Sequence, residues 1–347
     1  MALKQVPDAV AGPPWQPALR GRVDQLVVDS EVLADNPLGD PARRPLYVYL
    51  PPGLEPGAPV IYMLQGFTGQ LDRWLARDIF EPTIFERLDA MFAAPEVPRA
   101  AVVFVDAWTS LGGSQFLNSP ALGRYTDYIC DEVLPFIDSR YGTDPGRRGI
   151  AGKSSGGYGA LVLPMLRPGL FAALAAHAGD ALFEVCCLPE FRTVVRTLRD
   201  HFDGSYDVLF ERLAAAERFD FRRFGGALEM YTYAAAYSPD PDNPVKPLLP
   251  FDLRTGRLIQ PVWERWLAWD PVRMIPERGD ALRGMRRVLL EAGRWDEPYL
   301  DLGAQAVSDE LAKLGIAHTF ELFDGGHGGI NYRYPPAIRE LIVALDA

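Results

Sequence analysis

Basic residues are in deficit in this chain: 35 Lys and Arg stand against 46 Asp and Glu, a formal net charge of −11. That balance excludes the basic surface that a nucleic-acid or anionic-membrane partner requires. Cysteine is scarcer still, with Cys130, Cys186 and Cys187 the only three among 347 residues. Two of them are adjacent, so no disulfide framework is encoded, and they read as one small core residue and two residues of an inserted region. The four histidines, His177, His201, His318 and His327, have no metal-ligand spacing. Neither a dinucleotide fingerprint nor a phosphate-binding glycine loop occurs, so neither metal nor cofactor is expected. The N-terminus lacks the apolar stretch of a signal peptide. No uninterrupted apolar run approaches the roughly 18 residues of a membrane span. The chain therefore reads as cytoplasmic, without membrane insertion.

What is present is a soluble, globular composition, 48% apolar, long enough for one large or two ordinary domains. Residues 1–20 are rich in Pro and Ala without periodicity and read as an N-terminal arm. Two antiparallel strand candidates follow, one over Arg22–Val32 and one at Arg44–Leu50, the second bounded by Pro51-Pro52-Gly53. Val60–Leu64, Ala101–Val105, Ala172–Ala176 and Val288–Leu290 are apolar on both faces, as buried parallel strands are. Helical spacing covers Arg73–Phe92, Arg124–Arg140, Tyr299–Leu314 and about Pro336 to Leu345. Antiparallel entry strands and then strand–helix alternation predict an α/β fold with a mostly parallel central sheet and helices on both faces.

One region departs from that alternation. Asp180–Pro271 contains no parallel-strand pattern but many aromatics and Pro-rich turns. An insertion at about 184–262 is expected to form a helical cap on a single domain spanning 21–347. Trp263, Trp266 and Trp269 recur every third residue on a helix expected from Pro261 to before Pro271. Either they pack the insertion, or Trp263 and Trp266 present an apolar face to substrate.

The chemistry is concentrated in Gly152-Lys153-Ser154-Ser155-Gly156, between a short apolar strand and a small-residue helix. Strand, G-x-S-x-G and helix together make the context of a nucleophile elbow, which holds one serine in a strained, exposed pose. A serine hydroxyl is a poor nucleophile at neutral pH and needs a base, and the base needs an orienting acid. The chain order in this context is Ser, acid, His. His327 lies in Asp324-Gly-Gly-His-Gly-Gly329, after the last strand (Thr319–Phe323) and before the last helix, where the base belongs. Asp296 follows the preceding strand and is the expected acid; Glu297 is its rival, and Glu291 is placed within the strand. Oxyanion donors are expected from the backbone N–H groups of Ser155 and of Phe67, in the Gln65–Gly69 loop directly after Val60–Leu64.

These motifs resemble the esterase D-like family of α/β-hydrolases, which includes feruloyl esterases, S-formylglutathione hydrolases, enterochelin-type siderophore esterases and mycolyltransferases. The resemblance is carried by Tyr47–Gly53, Leu64–Gly69, Gly112–Ser119, Gly152–Ala160, Gly293–Asp296 and Asp324–His327. It covers roughly 22–183 and 270–347 and implies the α/β-hydrolase fold and an ester substrate. Gln65 stands where many relatives carry His. Lys153 stands where His or a hydrophobic residue is common; it either favours an anionic acyl group or pairs with a carboxylate. Gln115 and Asn118, after the fourth strand, either contact substrate or form a structural turn.

The expected activity is hydrolysis of a small-molecule carboxylic ester through an acyl-enzyme on Ser154, with His327 as base and Asp296 as its orienting acid. The same parts would serve an acyltransferase if water were excluded and another alcohol admitted. A non-catalytic binding protein on this fold would be expected to carry a broken triad. A peptidase would be expected to carry a peptide-binding region that is not evident here.

Overall fold

The computed structural model describes residues 18–76, 81–243 and 245–347, so most of the expected N-terminal arm lies outside the described residues. Strands β1 (Arg22–Asp29), β2 (Arg43–Leu50), β3 (Val60–Leu64), β4 (Ala101–Val105), β5 (Arg148–Ser154), β6 (Ala173–Gly179), β7 (Arg287–Gly293) and β8 (Thr319–Phe323) form one sheet. Their order is β1-β2-β4-β3-β5-β6-β7-β8. β1 and β2 pair antiparallel, β2 joins β4 antiparallel, and every later pairing is parallel.

Alternation along the strands builds two apolar layers, because successive side chains point to opposite faces. On β2, Leu46, Val48 and Leu50 join one layer while Tyr47 and Tyr49 join the other. The second layer is covered by α1 (Ile84–Phe92) and by the last helix, Tyr334–Asp346, through Ile338, Leu341 and Leu345. The first is covered by a helical run over Tyr125–Asp127, Tyr128–Val133 and Leu134–Tyr141, whose middle segment is π-helical. It is also covered by α2 (Ser155–Leu166) and by the helices between β6 and β7.

Two sequence expectations need correcting. Arg73–Phe92 is not one helix. Asp72–Leu75 is a single turn, and α1 starts afresh after Pro82, where Thr83 Oγ1 accepts from Glu86 N and Glu86 accepts from Thr83 N in a capping box. The strand expected over Ala172–Ala176 runs on to Gly179, so that His177 lies inside β6.

The region between β6 and β7 is helical, with α3 (Glu190–His201), α4 (Tyr206–Ala215), α5 (Phe221–Tyr237) and α6 (Gln260–Leu267). Its centre is aromatic: the Trp266 ring lies 5.6 Å from Phe191 and 5.4 Å from Tyr237. The indole N–H donates to Ser238 Oγ at 2.9 Å, which satisfies the one polar group that burial would orphan. Phe191, Tyr237 and Trp266 share one contiguous core with the sheet-facing residues, so the insertion is packed into the main core. Trp269 falls beyond α6. No described helix is long and apolar enough to cross a membrane.

Trp266 is fully buried and tightly surrounded. Trp266→Ala should lower unfolding stability by about 3–5 kcal/mol in chemical denaturation. A loss below about 1 kcal/mol would mean that the aromatic cluster is not a packed core.

Candidate active site

The order of the sheet reverses between β3 and β5, since β4 lies on the other side of β3. At such a switch point the loops leaving the carboxyl ends diverge and open a crevice. The loop after β3 and the turn after β5 meet there. Ser154 ends β5 with φ +59° and ψ −127°, a left-handed backbone that a serine adopts only when its surroundings enforce it. The enforcement is steric. A Cβ on Gly152 would lie 2.3 Å from the Gly156 carbonyl oxygen, and one on Gly156 would lie 2.3 Å from the Leu64 carbonyl oxygen. Both positions must therefore lack a side chain for strand, turn and helix to close on one another.

The β3 loop packs against the same turn, and a Cβ on Gly66 would sit 3.3 Å from that of Ser154. Thr68 N–H donates to the Gly112 carbonyl at 2.8 Å and Gly69 N–H to that of Gly66 at 2.9 Å, which shapes the loop. The Phe67 N–H has no acceptor among the described residues. Ser155 opens α2, where the first N–H groups of a helix have no intrahelical partner.

His327 arrives from the other side, on the loop after β8. Its Nδ1 is 2.8 Å from Asp296 Oδ2, and the other Asp296 oxygen accepts the Leu300 N–H at 3.0 Å. Asp296 is 4% exposed, so its carboxylate holds the ring from a buried position. Glu297, the rival acid, does something else: it accepts the main-chain N–H of His327 at 2.8 Å. Adjacent carboxylates thus hold the imidazole and the backbone of one histidine. Main-chain contact also sets this loop, because a Cβ on Gly293 would lie 2.3 Å from the Gly325 carbonyl oxygen. Glu291 lies within β7, as expected, and bonds His177 Nδ1 at 2.7 Å and the Arg333 guanidinium.

Ser154 and His327 line one cavity of about 490 Å³, together with Gly66, Phe67 and Lys153. Ser154 Oγ forms no hydrogen bond with a described residue, so the hydroxyl is free within the cavity. Lys153 pairs with no carboxylate among the described residues. Burial lowers the pKa of its ammonium, while the charges of Asp296, Glu297 and Asp180 act in the opposite direction.

The expected substrate contacts divide. Gln115 is 1% exposed and donates to Asp180 at 3.1 Å and to the Tyr237 hydroxyl at 2.7 Å. Asn118 is exposed, and its side chain accepts the Asp127 N–H at 3.1 Å, a structural turn away from the cavity. Trp263 and Trp266 are 3% and 0% exposed and form none of the cavity wall, so they pack the insertion and present no face to substrate.

The polar wall residues that escaped sequence reasoning include Asp180, Glu229 and Tyr233. Asp180 follows β6 directly, and its position at the carboxyl edge of a buried strand was the one available signal. Tyr233 OH is 2.8 Å from Asp180 and 3.1 Å from Glu229, and Ser155 Oγ is 3.4 Å from Asp180. Burial raises the pKa of the Asp180 carboxyl, opposed by its hydrogen bonds.

Comparison with known proteins places the chain at the level of family and fold. A family described as "Putative esterase" matches residues 41–333. The S-formylglutathione hydrolase of Mus musculus is 29% identical over 140 residues, 38% of this chain and 50% of that protein. The Bos taurus enzyme of the same name is 27% identical over 140 residues, again 38% of this chain and 50% of the relative. The chain thus spans about half the length of the curated relatives it matches. Among solved structures, a ferulic acid esterase superposes with a TM-score of 0.59 at 18% identity, covering 94% of this chain and 100% of that one. An S-formylglutathione hydrolase from Agrobacterium tumefaciens gives 0.55 at 15% identity, covering 95% and 97%. At such identities these superpositions establish the α/β-hydrolase fold alone. With the family match running from β2 to the residues just past His327, the chain belongs to the esterase family.

Proposed function

We propose that this chain is a serine carboxylic-ester hydrolase acting on a small-molecule ester through an acyl-enzyme. The observation that carries the reading is the Asp296-bound imidazole of His327 opening onto the same cavity as Ser154 at its strained turn. Ser154 Oγ attacks the ester carbonyl while His327 Nε2 takes its proton. Asp296 keeps the other ring nitrogen protonated and offsets the charge of the imidazolium that forms. The carbonyl oxygen gains negative charge next to the Phe67 and Ser155 N–H groups, which are already oriented and need no reorganisation. Collapse expels the alcohol with the proton from His327, and water repeats the sequence on the acyl-serine. The insertion at 184–262 serves as the cap, supplying Val185, Cys186, Glu190, Phe221, Met230 and Tyr233 to the substrate cavity.

A fluorophosphonate probe should label the protein, while Ser154→Ala and His327→Ala should not be labelled. Labelling that survives in Ser154→Ala would place the nucleophile elsewhere. Asp296→Asn should cut turnover of a 4-nitrophenyl ester by about 10⁴-fold, because an amide stabilises the wrong tautomer. Glu297→Gln keeps an acceptor for the His327 N–H and should stay within about twofold, whereas Glu297→Ala should lose about tenfold. Equal losses in the two Glu297 variants would mean that the hydrogen bond is not what the carboxylate supplies.

Burial, followed by the charge of Asp180, pushes Glu229 up to about 7 from an ordinary 4.5. A carboxyl raised in the folded state contributes stability that is complete below about pH 4.5 and lost as pH rises through about 7. Glu229→Gln should therefore flatten the decline of unfolding stability between about pH 5 and about pH 8. Parallel pH profiles for the two proteins would show that Glu229 ionises freely.

A further inference from the structure

The two adjacent cysteines of the insertion both reach the cavity that contains Ser154 and His327. Their sulfurs lie 3.6 Å apart, and the Cys186 thiol also donates to the Ala181 carbonyl at 3.4 Å. The segment carrying them is held firmly. Asp270, 0% exposed, accepts the Leu182 and Phe183 N–H groups at 3.0 and 2.7 Å. The Phe183 ring is fully buried, and Cys187 N–H donates to the Phe183 carbonyl at 3.0 Å. Two thiols therefore stand side by side on a fixed turn in the wall of a space large enough for a small molecule, Cys186 half-buried and Cys187 buried. The third thiol, Cys130, is buried on the helical segment Tyr128–Val133 and forms no part of this wall.

We propose that Cys186 and Cys187 form a vicinal dithiol site that captures trivalent arsenicals and, by filling the cavity beside Ser154, shuts off access of ester to the nucleophile. The effect on ester chemistry rests on the reading of Ser154 given above; the capture itself does not. Soft sulfur ligands prefer soft, thiophilic centres, and two on one rigid turn bind as a chelate without further loss of conformational freedom.

The step balances without an oxidant. An organoarsenic(III) oxide and two thiols give a dithioarsenite and one water. Two As–S bonds form, two S–H bonds and the As–O linkage break, both protons leave with the oxygen, and arsenic stays trivalent. Closure to a disulfide is the less favoured outcome at this site. It would need the sulfurs at about 2.05 Å, an oxidant and an attacking thiolate. Burial holds the Cys187 thiol well above its ordinary range, which disfavours that thiolate.

The test uses phenylarsine oxide on the full chain, read by intact mass and, separately, by fluorophosphonate labelling. Wild type should gain one phenylarsenic per chain, released by 2,3-dimercaptopropanol, and should lose labelling while the adduct persists. Cys186→Ser and Cys187→Ser should each fail to retain the adduct, and Cys130→Ser should retain it. Absence of an adduct on wild type, or its persistence in either vicinal variant, would overturn the site. An adduct that leaves labelling intact would overturn the closure. If untreated protein is never labelled, the esterase reading fails while the mass result still decides the dithiol site.

Discussion

The structure depends on main chain touching main chain at the carboxyl edge of the sheet. Gly156 lies against the Leu64 carbonyl, Gly152 against Gly156, and Gly157 against Gly179, each at a distance that no Cβ could occupy. Through these contacts β3, β5 and β6 converge on one turn, and that convergence drives Ser154 into its left-handed backbone. The cost of that conformation is of order 1–3 kcal/mol and is met by the packing on either side. A parallel contact, Gly293 against Gly325, sets the loop that brings His327 to Asp296. Both halves of the candidate site are therefore positioned by backbone, and the reacting side chains have few ways to move out of place.

Around that backbone frame the cavity is built from distant parts of the chain. The insertion shares an apolar core with the sheet through Phe191, Tyr237 and Trp266, so its inner face is as fixed as the strands it covers. That face brings Glu229 and Tyr233 to Asp180, and Cys186 and Cys187 to the neighbourhood of the nucleophile. Lys153 faces the same cavity without a direct carboxylate partner among the described residues, close to several acidic groups. The electrostatic character of the pocket is thus a property of the assembled fold, in which no single segment dominates.

Much of this was legible in the sequence, and the physical reason is locality. The apolar runs at Val60–Leu64 and Ala101–Val105 mark strands buried on both faces, and they pair in parallel as expected. The elbow at Gly152–Gly156, the Gly-rich loop around His327 and the acid after β7 are short segments whose steric and chemical demands act over a few residues. Chain order narrowed the acid to Asp296 with Glu297 as its rival, although their division of labour on the ring and backbone of His327 could not be read. The helical pattern across Arg73–Phe92 was misleading because apolar spacing alone did not register the fresh start after Pro82, which Thr83 and Glu86 cap.

By itself, then, the sequence determined the fold class and singled out Ser154, Asp296 and His327 as candidates, since turn sterics and strand order are written in contiguous residues. Only the tertiary structure decided what surrounds them. Trp263 and Trp266 went to the core because Phe191 and Tyr237 close over them, and Asn118 to a turn because Asp127 N–H needs an acceptor. Glu229, Cys186 and Cys187 came to the cavity wall because helices of the insertion pack onto the switch point of the sheet. Which side of a helix faces a cavity depends on that long-range packing, and no local pattern encodes it.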